Sequence, residues 1–278
     1  MERRSGRRRA TFDARAVLRG DIEYALALLA QPPLTDESIH AFRQALKRAR
    51  ASLRLLRDAV SDAAYGRENA CLRDAARPLA RARDAAVMLD LLDELLASRK
   101  LRRYRPTFLR LRARCRRSHA RLMAGARNQR VAGKMRRLLE QSLRRTAHWR
   151  LPRDAGAVYA DGLRRIYRKG RDALQAVPAQ GGAGALHEWR KQVKYLGTAL
   201  VLAVPASSRR AKARAVIDEI ARQLGEHHDL SLLAAHSRRT RAGRAVAAKL
   251  DARRRKLRKR AIKLSRRLDE RCRPLLRY

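Results

Sequence analysis

Aromatic side chains make up only 4% of this 278-residue chain. Proteins that read single-stranded nucleic acid stack bases on aromatics set among basic residues, so this scarcity argues against base readout. Cysteine is rarer still. Cys71, Cys115 and Cys272 are odd in number, widely spaced and in no CxxC pair, a usage that fits a reducing cytosol. β-Branched residues are sparse, and no sheet is expected. The longest mostly apolar run, Tyr195 to Ala206, is about twelve residues, whereas a membrane-spanning helix needs roughly twenty, so no transmembrane segment is predicted. Negative charge is also in short supply: 26 Asp and Glu face 69 Lys and Arg, leaving +43. That excess goes far beyond what solubility requires. It implies a large anionic partner, with nucleic acid, polyphosphate and an anionic membrane surface as candidates.

What abounds is Ala, Leu and Arg, with apolar positions recurring at three and four residues and a hydrophobic share of 45%, enough for a real core. The chain is therefore expected to be helical nearly throughout. Breaks are read at Gln31 to Leu34, Ser61 to Gly66, Leu151 to Gly156, Pro178 to Gly184 and Pro205 to Ser208. Between them, helices are predicted near 11–30, 38–60, 68–97, 104–125, 128–148, 157–176, 185–204, 208–225, 228–240 and 243–274. The length allows two domains or one duplicated fold. The break near 151–156 divides the chain into an N-terminal helical bundle, 11–150, and a C-terminal one, 157–278. Residues 1–10 are read as a disordered basic arm, because Asp13, Arg15, Arg19, Asp21 and Glu23 interrupt any apolar core of a signal. A twin-arginine export signal is the alternative there.

Two stretches in different halves read alike: His40-Ala-Phe-Arg43-Gln-Ala-Leu-Lys47 and His187-Glu-Trp-Arg190-Lys191-Gln-Val-Lys194. Each sets an arginine three residues and a lysine seven residues after a histidine. Helix positions turn by about 100° per residue, so these offsets return to one face. The first stripe continues through Arg50 and Arg54, filling an arc of roughly 80° along about 21 Å of helix. Beside it Ile39, Phe42, Leu46, Ala49, Leu53, Leu56 and Val60 form a separate apolar face, so the helix can pack while displaying its cations. Thr35 and Asp36 offer N-cap oxygens, and Asp36 and Glu37 suit the positive end of the helix dipole. A second element also repeats. Asp84 and Asp229 each precede an apolar stretch, and each follows its histidine by a similar interval, 44 residues in the first half and 42 in the second. Two helical bundles facing one another would bring the stripes together across one groove, an arrangement that suits a linear polyanion.

On these residues the chain resembles the CHAD domain family, a helical family named for its histidines. The likeness rests on His40, Arg43, Lys47, Arg48 and Arg50, on His187, Arg190, Lys191 and Lys194, and on the Arg83-Asp84 and His228-Asp229 elements, and it spans about residues 11–275. It implies an all-α fold of two pseudo-symmetric antiparallel four-helix bundles facing a shared basic groove. It also implies non-catalytic binding of inorganic polyphosphate, in the cytoplasm and at polyphosphate granules, with no cofactor. The residues expected to bind are those two basic sets, with Arg54 added by the periodicity of the first stripe. Gly197 and Tyr195 stand where the first repeat has Arg50 and Arg48, which makes the second stripe the poorer one.

A polyphosphate chain offers charge and no base edges, so Lys and Arg alone can supply recognition. His40 and His187 either donate to phosphate oxygens or hydrogen-bond a neighbour near a helix start; an anion beside them would raise their pKa. One histidine per motif falls short of the three or four converging ligands a metal needs. His227, His228 and His236 are read as surface or capping histidines. Asp84 and Asp229 are read as N-caps or as salt-bridge partners of the stripe cations rather than acid–base groups. The segment Arg253 to Arg260 resembles a nucleic-acid patch, but Leu250, Leu257, Leu264 and Leu268 recur at helical spacing and make it an amphipathic helix with a basic outer face. Trp149 and Trp189 are expected in the core or at an interface. An architectural nucleic-acid binder stands as the rival reading, since counterion release from any polyanion uses the same cations. A metal-dependent phosphohydrolase lacks its acidic ligands in these motifs.

Overall fold

The computed structural model describes residues 13–31, 33–151, 155–180, 183–238 and 241–276; the basic arm at 1–10 lies outside them. Among the described residues there are ten α-helices, three short 3₁₀ turns and no strand. The helices are α1 (Ala14–Leu29), α2 (Asp36–Leu55), α3 (Asp62–Ala76), α4 (Ala80–Ala97), α5 (Arg105–Ala126), α6 (Gln129–Ala147), α7 (Ala155–Gln180), α8 (Ala183–Ala203), α9 (Ser208–Ser237) and α10 (Arg241–Cys272).

Local chemistry sets most of these boundaries. At the start of α2 the Ser38 amide donates to Thr35 Oγ1 and the Thr35 amide donates to Ser38 Oγ, a reciprocal cap that satisfies two helix-end donors. Ser61 caps α3, Asn128 caps α6 and Ser207 caps α9, each through a side-chain oxygen that accepts from backbone amides of the first turn. The helix expected over 68–97 is two helices. Pro78 lacks an amide and its ring clashes with the preceding turn, so α3 ends at Ala76 and α4 begins at Ala80. The reverse occurs in the second half, where the helices expected at 208–225 and 228–240 are one 30-residue helix, α9. A glycine inside a helix costs only about 1 kcal/mol, and buried Ile220, Leu224, Leu230 and Leu233 on both sides of Gly225 carry the helix through.

The stripe helices lie at the centre. α2 packs on α1, α3, α4, α7 and α8, while α8 packs on α2, α7 and α9. α4 and α9 also touch, so α2, α8, α9 and α4 close a ring to which each half contributes two helices. Two apolar clusters hold this ring. The larger includes Phe42, Leu53, Leu72, Tyr159, Trp189 and Ile217; the smaller joins Met88, Leu92 and Phe108 to Leu230, Val246 and Leu250. Both clusters draw on both halves of the sequence. Trp189 is fully buried and Trp149 packs at the edge of the larger cluster, as expected for each. One glycine decides an approach: a Cβ on Gly162 would stand 2.5 Å from the Leu55 carbonyl oxygen, so only glycine lets α7 pass the end of α2. No helix among the described residues is long and apolar enough to cross a membrane.

Candidate anion-binding cavity

The ring of α2, α4, α8 and α9 encloses a cavity of about 1030 Å³. Eight of the ten residues expected to bind line it: His40, Arg43, Lys47 and Arg50 from α2, and His187, Arg190, Lys191 and Lys194 from α8. The two stripes therefore meet across one space. They do so because each stripe helix buries the neighbouring face, through Ile39, Phe42, Leu46 and Leu53 in α2 and through Leu186, Trp189, Val193 and Leu200 in α8.

The other two expected residues lie elsewhere. Arg48 turns towards α1, where its Nε donates to Asp21 Oδ1 at 2.8 Å. Arg54 stands at the edge, with its guanidinium 3.7 Å over the ring of buried Tyr195 and its Nη1 donating to the Arg50 carbonyl. Tyr195 itself lines the cavity, 6.0 Å from the Arg50 guanidinium. Gly197 also has a local reason. A Cβ there would stand 2.9 Å from Ile217 Cγ2, and Arg214 of α9 donates to its carbonyl, so α9 crosses α8 where the second stripe would otherwise continue.

Arg83, Asp84 and Asp229 of the second repeated element line it too, together with residues that the motifs did not single out. Arg83, Arg222 and Arg253 add cations, and Asp84, Asp90, Glu94, Asp218, Glu226 and Asp229 add carboxylates. Asp218, Arg222 and Glu226 sit eleven, seven and three residues before Asp229, close to whole helical turns, so extending that motif along its helix face would have found them. Asp84 and Asp229 correct the expectation of N-caps, since both lie inside helices. They act as nearby charges on Arg43 and Arg190. His228 corrects the surface assignment: it lines the cavity with its ring 5.6 Å from that of His187, and His227 is buried beside it.

The electrostatics are those of cations held out of water. Burial, then the neighbouring cations, brings Lys47 and Lys194 each down to about 8. Lys47 keeps accessible surface, and it lines the cavity beside Arg43, Lys194 and Arg190, the cations that lower it further. Burial also lowers Arg43, Arg50 and Arg190 from the ordinary arginine value. His40 and His187 are lowered by burial and by surrounding cations, and His228 falls to about 4 for the same reasons. His40 Nε2 stands 3.2 Å from the Gln44 amide nitrogen, which fits a neutral ring accepting that hydrogen bond. Asp229 is raised by burial.

Pairing is incomplete at the centre. Arg43 donates one Nη1 bond to the Ala76 carbonyl, yet its Nε is buried without a partner, and Arg190 Nε is in the same condition. At the rim the cations are neutralised: Lys191 bonds Glu188, Arg222 bonds Glu219, and Arg253 bonds Glu226. Among the described residues, no group of three or more His, Cys, Asp or Glu is placed to hold a metal ion. The arrangement thus offers desolvated Arg and Lys donors from two helices to an anionic chain.

A family model described as CHAD domain matches residues 22–238. In structure the chain is similar to the crystal structure of the CHAD domain from the plant Ricinus communis, at 16% identity, covering 92% of this chain and 89% of that one with a TM-score of 0.59. It is also similar to PptA from Streptomyces chartreusis, at 18% identity, covering 92% and 98% with a TM-score of 0.60. At such identities the likeness is one of fold. No curated protein matches the chain by sequence.

Proposed function

The chain belongs to the CHAD domain family, and from that premise we propose that its central cavity binds inorganic polyphosphate without catalysing its reaction. The observation that carries the reading is the matched pair of buried, unpartnered Nε donors on Arg43 and Arg190, one from each stripe. A buried donor left unpaired costs about 1–3 kcal/mol, and a phosphate chain between the stripes, towards which each guanidinium can turn, relieves that cost. Lys47 and Lys194 supply point charges beside them, while Arg50 and Arg83 extend the path. The binding set on this reading is His40, Arg43, Lys47, Arg50, His187, Arg190, Lys191 and Lys194, with Arg54 supporting from the edge. A cytoplasmic protein associated with polyphosphate granules is the setting this function implies.

Nucleic acid is the competing polyanion. Duplex DNA is expected to use the outer basic faces, where salt screens it efficiently. Calorimetric titration with long-chain polyphosphate and with duplex DNA at physiological salt tests the assignment. The expected result is tight polyphosphate binding and weak DNA binding, with polyphosphate affinity abolished in the variant Arg43→Glu, Lys47→Glu, Arg190→Glu, Lys194→Glu while its helical circular dichroism is retained. Unchanged polyphosphate affinity in that folded variant would overturn the site. Release of orthophosphate from polyphosphate in the presence of Mg²⁺ would overturn the absence of catalysis.

A further inference from the structure

A second cavity, of about 450 Å³, opens between α4, α5 and α9. Its rim carries Arg81 from α4 and Arg114 and Arg121 from α5, and its floor is apolar, made by Met88, Leu122 and Leu232 with the buried thiol of Cys115. Helical spacing places these groups: Arg81 and Met88 are seven apart on α4, as are Arg114 and Arg121 on α5, so each helix gives one face to the space. Arg112, on another side of α5, is bonded through its Nε and Nη2 to Asp93. The three rim arginines have no such carboxylate partner among the described residues.

The composition of this pocket differs from that of the central cavity in a way that bears on its ligand. A bare polyphosphate chain gains nothing from a floor of Met, Leu and Cys, whereas burying an apolar body there gains roughly 25 cal/mol per Å². Met88 and Cys115, whose sulfurs lie 3.4 Å apart, present polarizable atoms that pack well against a flat ring. On the rim, Arg114 and Arg121 are about 10 Å apart along the helix, a spread that fits several linked phosphates rather than one carboxylate. His236 bonds the Leu232 carbonyl through Nδ1 at 2.9 Å, so its Nε2 is the nitrogen available to the pocket. The volume lies within the usual range of about 300–1,000 Å³ for small-molecule sites.

We propose that the pocket between α4, α5 and α9 binds a nucleoside triphosphate, with the base on the Met88 and Leu232 floor and the phosphates on Arg81, Arg114 and Arg121. The proposal does not depend on what fills the central cavity. The two spaces nevertheless share Asp84, Met88 and Leu232 in their walls, so a nucleotide here lies beside the central ligand path.

The test uses the full chain carrying Arg43→Glu, Lys47→Glu, Arg190→Glu and Lys194→Glu, so that phosphate chains are kept out of the central cavity, with ATP and, as a control lacking the apolar body, inorganic triphosphate, both followed by calorimetry at physiological salt. ATP is expected to bind at least tenfold more tightly than triphosphate. Adding the rim changes Arg114→Gln and Arg121→Gln, both at exposed side chains, is expected to lower ATP affinity at least tenfold and leave the helical circular dichroism as it was. Triphosphate binding as tightly as ATP would mean that the pocket is only a continuation of a polyanion surface, and the proposal fails. It fails equally if ATP affinity survives the rim changes, or if ATP shows no binding at millimolar concentration.

Discussion

The guanidinium of Arg54 lies 3.7 Å over the ring of Tyr195, joining the end of the first stripe helix to the middle of the second. Arg50 is one turn earlier and 6.0 Å from the same ring. Two arginines at i and i+4 repel, and the negative face of a buried aromatic offsets that repulsion where water cannot. Tyr195 stands at the position of Arg48 in the first repeat, which turns to Asp21 and not to the cavity, so the tyrosine steadies the first stripe without replacing a cavity cation of the second. Tyr195→Leu is expected to cost about 1–2 kcal/mol in urea denaturation, part of it from lost ring packing. A double-mutant cycle with Arg54→Met isolates the cation–ring contact, with a coupling of about 0.5–1 kcal/mol expected. Zero coupling would mean that the two residues merely lie near one another.

Arg48 and Arg50 are neighbours in the motif with different duties. Both Arg48 Nε and Nη2 reach Asp21 Oδ1, at 2.8 and 2.7 Å, and Asp21 is buried with its Oδ2 unpaired. Arg48→Met leaves that carboxylate without its cation, which is expected to cost about 1–3 kcal/mol of stability. Polyphosphate affinity in this variant should stay within about twofold at physiological salt, because surface charges beyond a Debye length of about 8 Å are screened. Arg50→Met should show the opposite pattern, a clear loss of affinity with little loss of stability. Adding Asp21→Asn to Arg48→Met should restore much of the stability. A tenfold affinity loss in Arg48→Met would return Arg48 to the binding set.

The stripes were legible because a helix repeats its faces at fixed offsets: His40, Arg43 and Lys47 and their counterparts His187, Arg190 and Lys194 needed only that periodicity to be placed together. Their convergence in one cavity followed from the repeat. The division of labour inside the motif did not. Whether Arg48 faced the cavity or α1 depended on Asp21, 27 residues earlier in another helix, and no local pattern announces such a pair. Of the two roles read for the aspartates, charge partner of the stripe cations holds and N-cap fails: Asp84 follows the Pro78 break closely enough to resemble a cap, and only the position of Ala80 as the first helical residue puts it inside α4. The helices expected at 208–225 and 228–240 are one, because the burial of Leu224 and Leu230 on the flanks of Gly225 outweighs its low helix propensity.

At Gly162 the backbone of α7 passes against the end of α2. A Cβ there would meet the oxygen, Cα and carbonyl carbon of Leu55 at 2.5, 2.7 and 3.0 Å, all backbone atoms with no rotamer to yield. In an open helix Gly→Ala would stabilise, by up to about 1 kcal/mol. Here Gly162→Ala is expected to destabilise by about 1–3 kcal/mol, because α7 must move off the end of α2. Arg165 of the same helix donates to the Arg54 carbonyl at 2.8 Å, so the displacement also disturbs the Arg54 backbone at the cavity edge. Gly184, with open space around it, is the control, and alanine there should be neutral or stabilising. A Gly162→Ala protein as stable as the unmodified one would show that the helices can separate freely at this crossing.

Lys47 and Lys194 give the binding reaction a pH dependence opposite to that of folding. Each sits near 8 in the free protein against an ordinary value of 10.5, lowered first by burial and then by neighbouring cations. The unfolded chain therefore holds more protons than the folded one between about pH 8 and 10.5, so these lysines make the free protein more stable as pH rises across that window. Binding runs the other way, because a phosphate chain between the stripes favours the charged amines and draws protons onto them. Polyphosphate affinity is expected to be near its full value at about pH 7 and to fall as pH rises through 8 and beyond, leaving the contribution of Arg43 and Arg190, which stay charged. Calorimetry at about pH 8.5 in two buffers of different ionisation enthalpy should register proton uptake on binding. The Lys47→Met, Lys194→Met variant should lose that uptake and bind weakly with little pH dependence, whereas Lys47→Arg, Lys194→Arg should hold its affinity to higher pH because guanidinium does not deprotonate there. An affinity that is flat with pH in the unmodified protein and unaltered by either variant would mean that neither lysine meets the ligand.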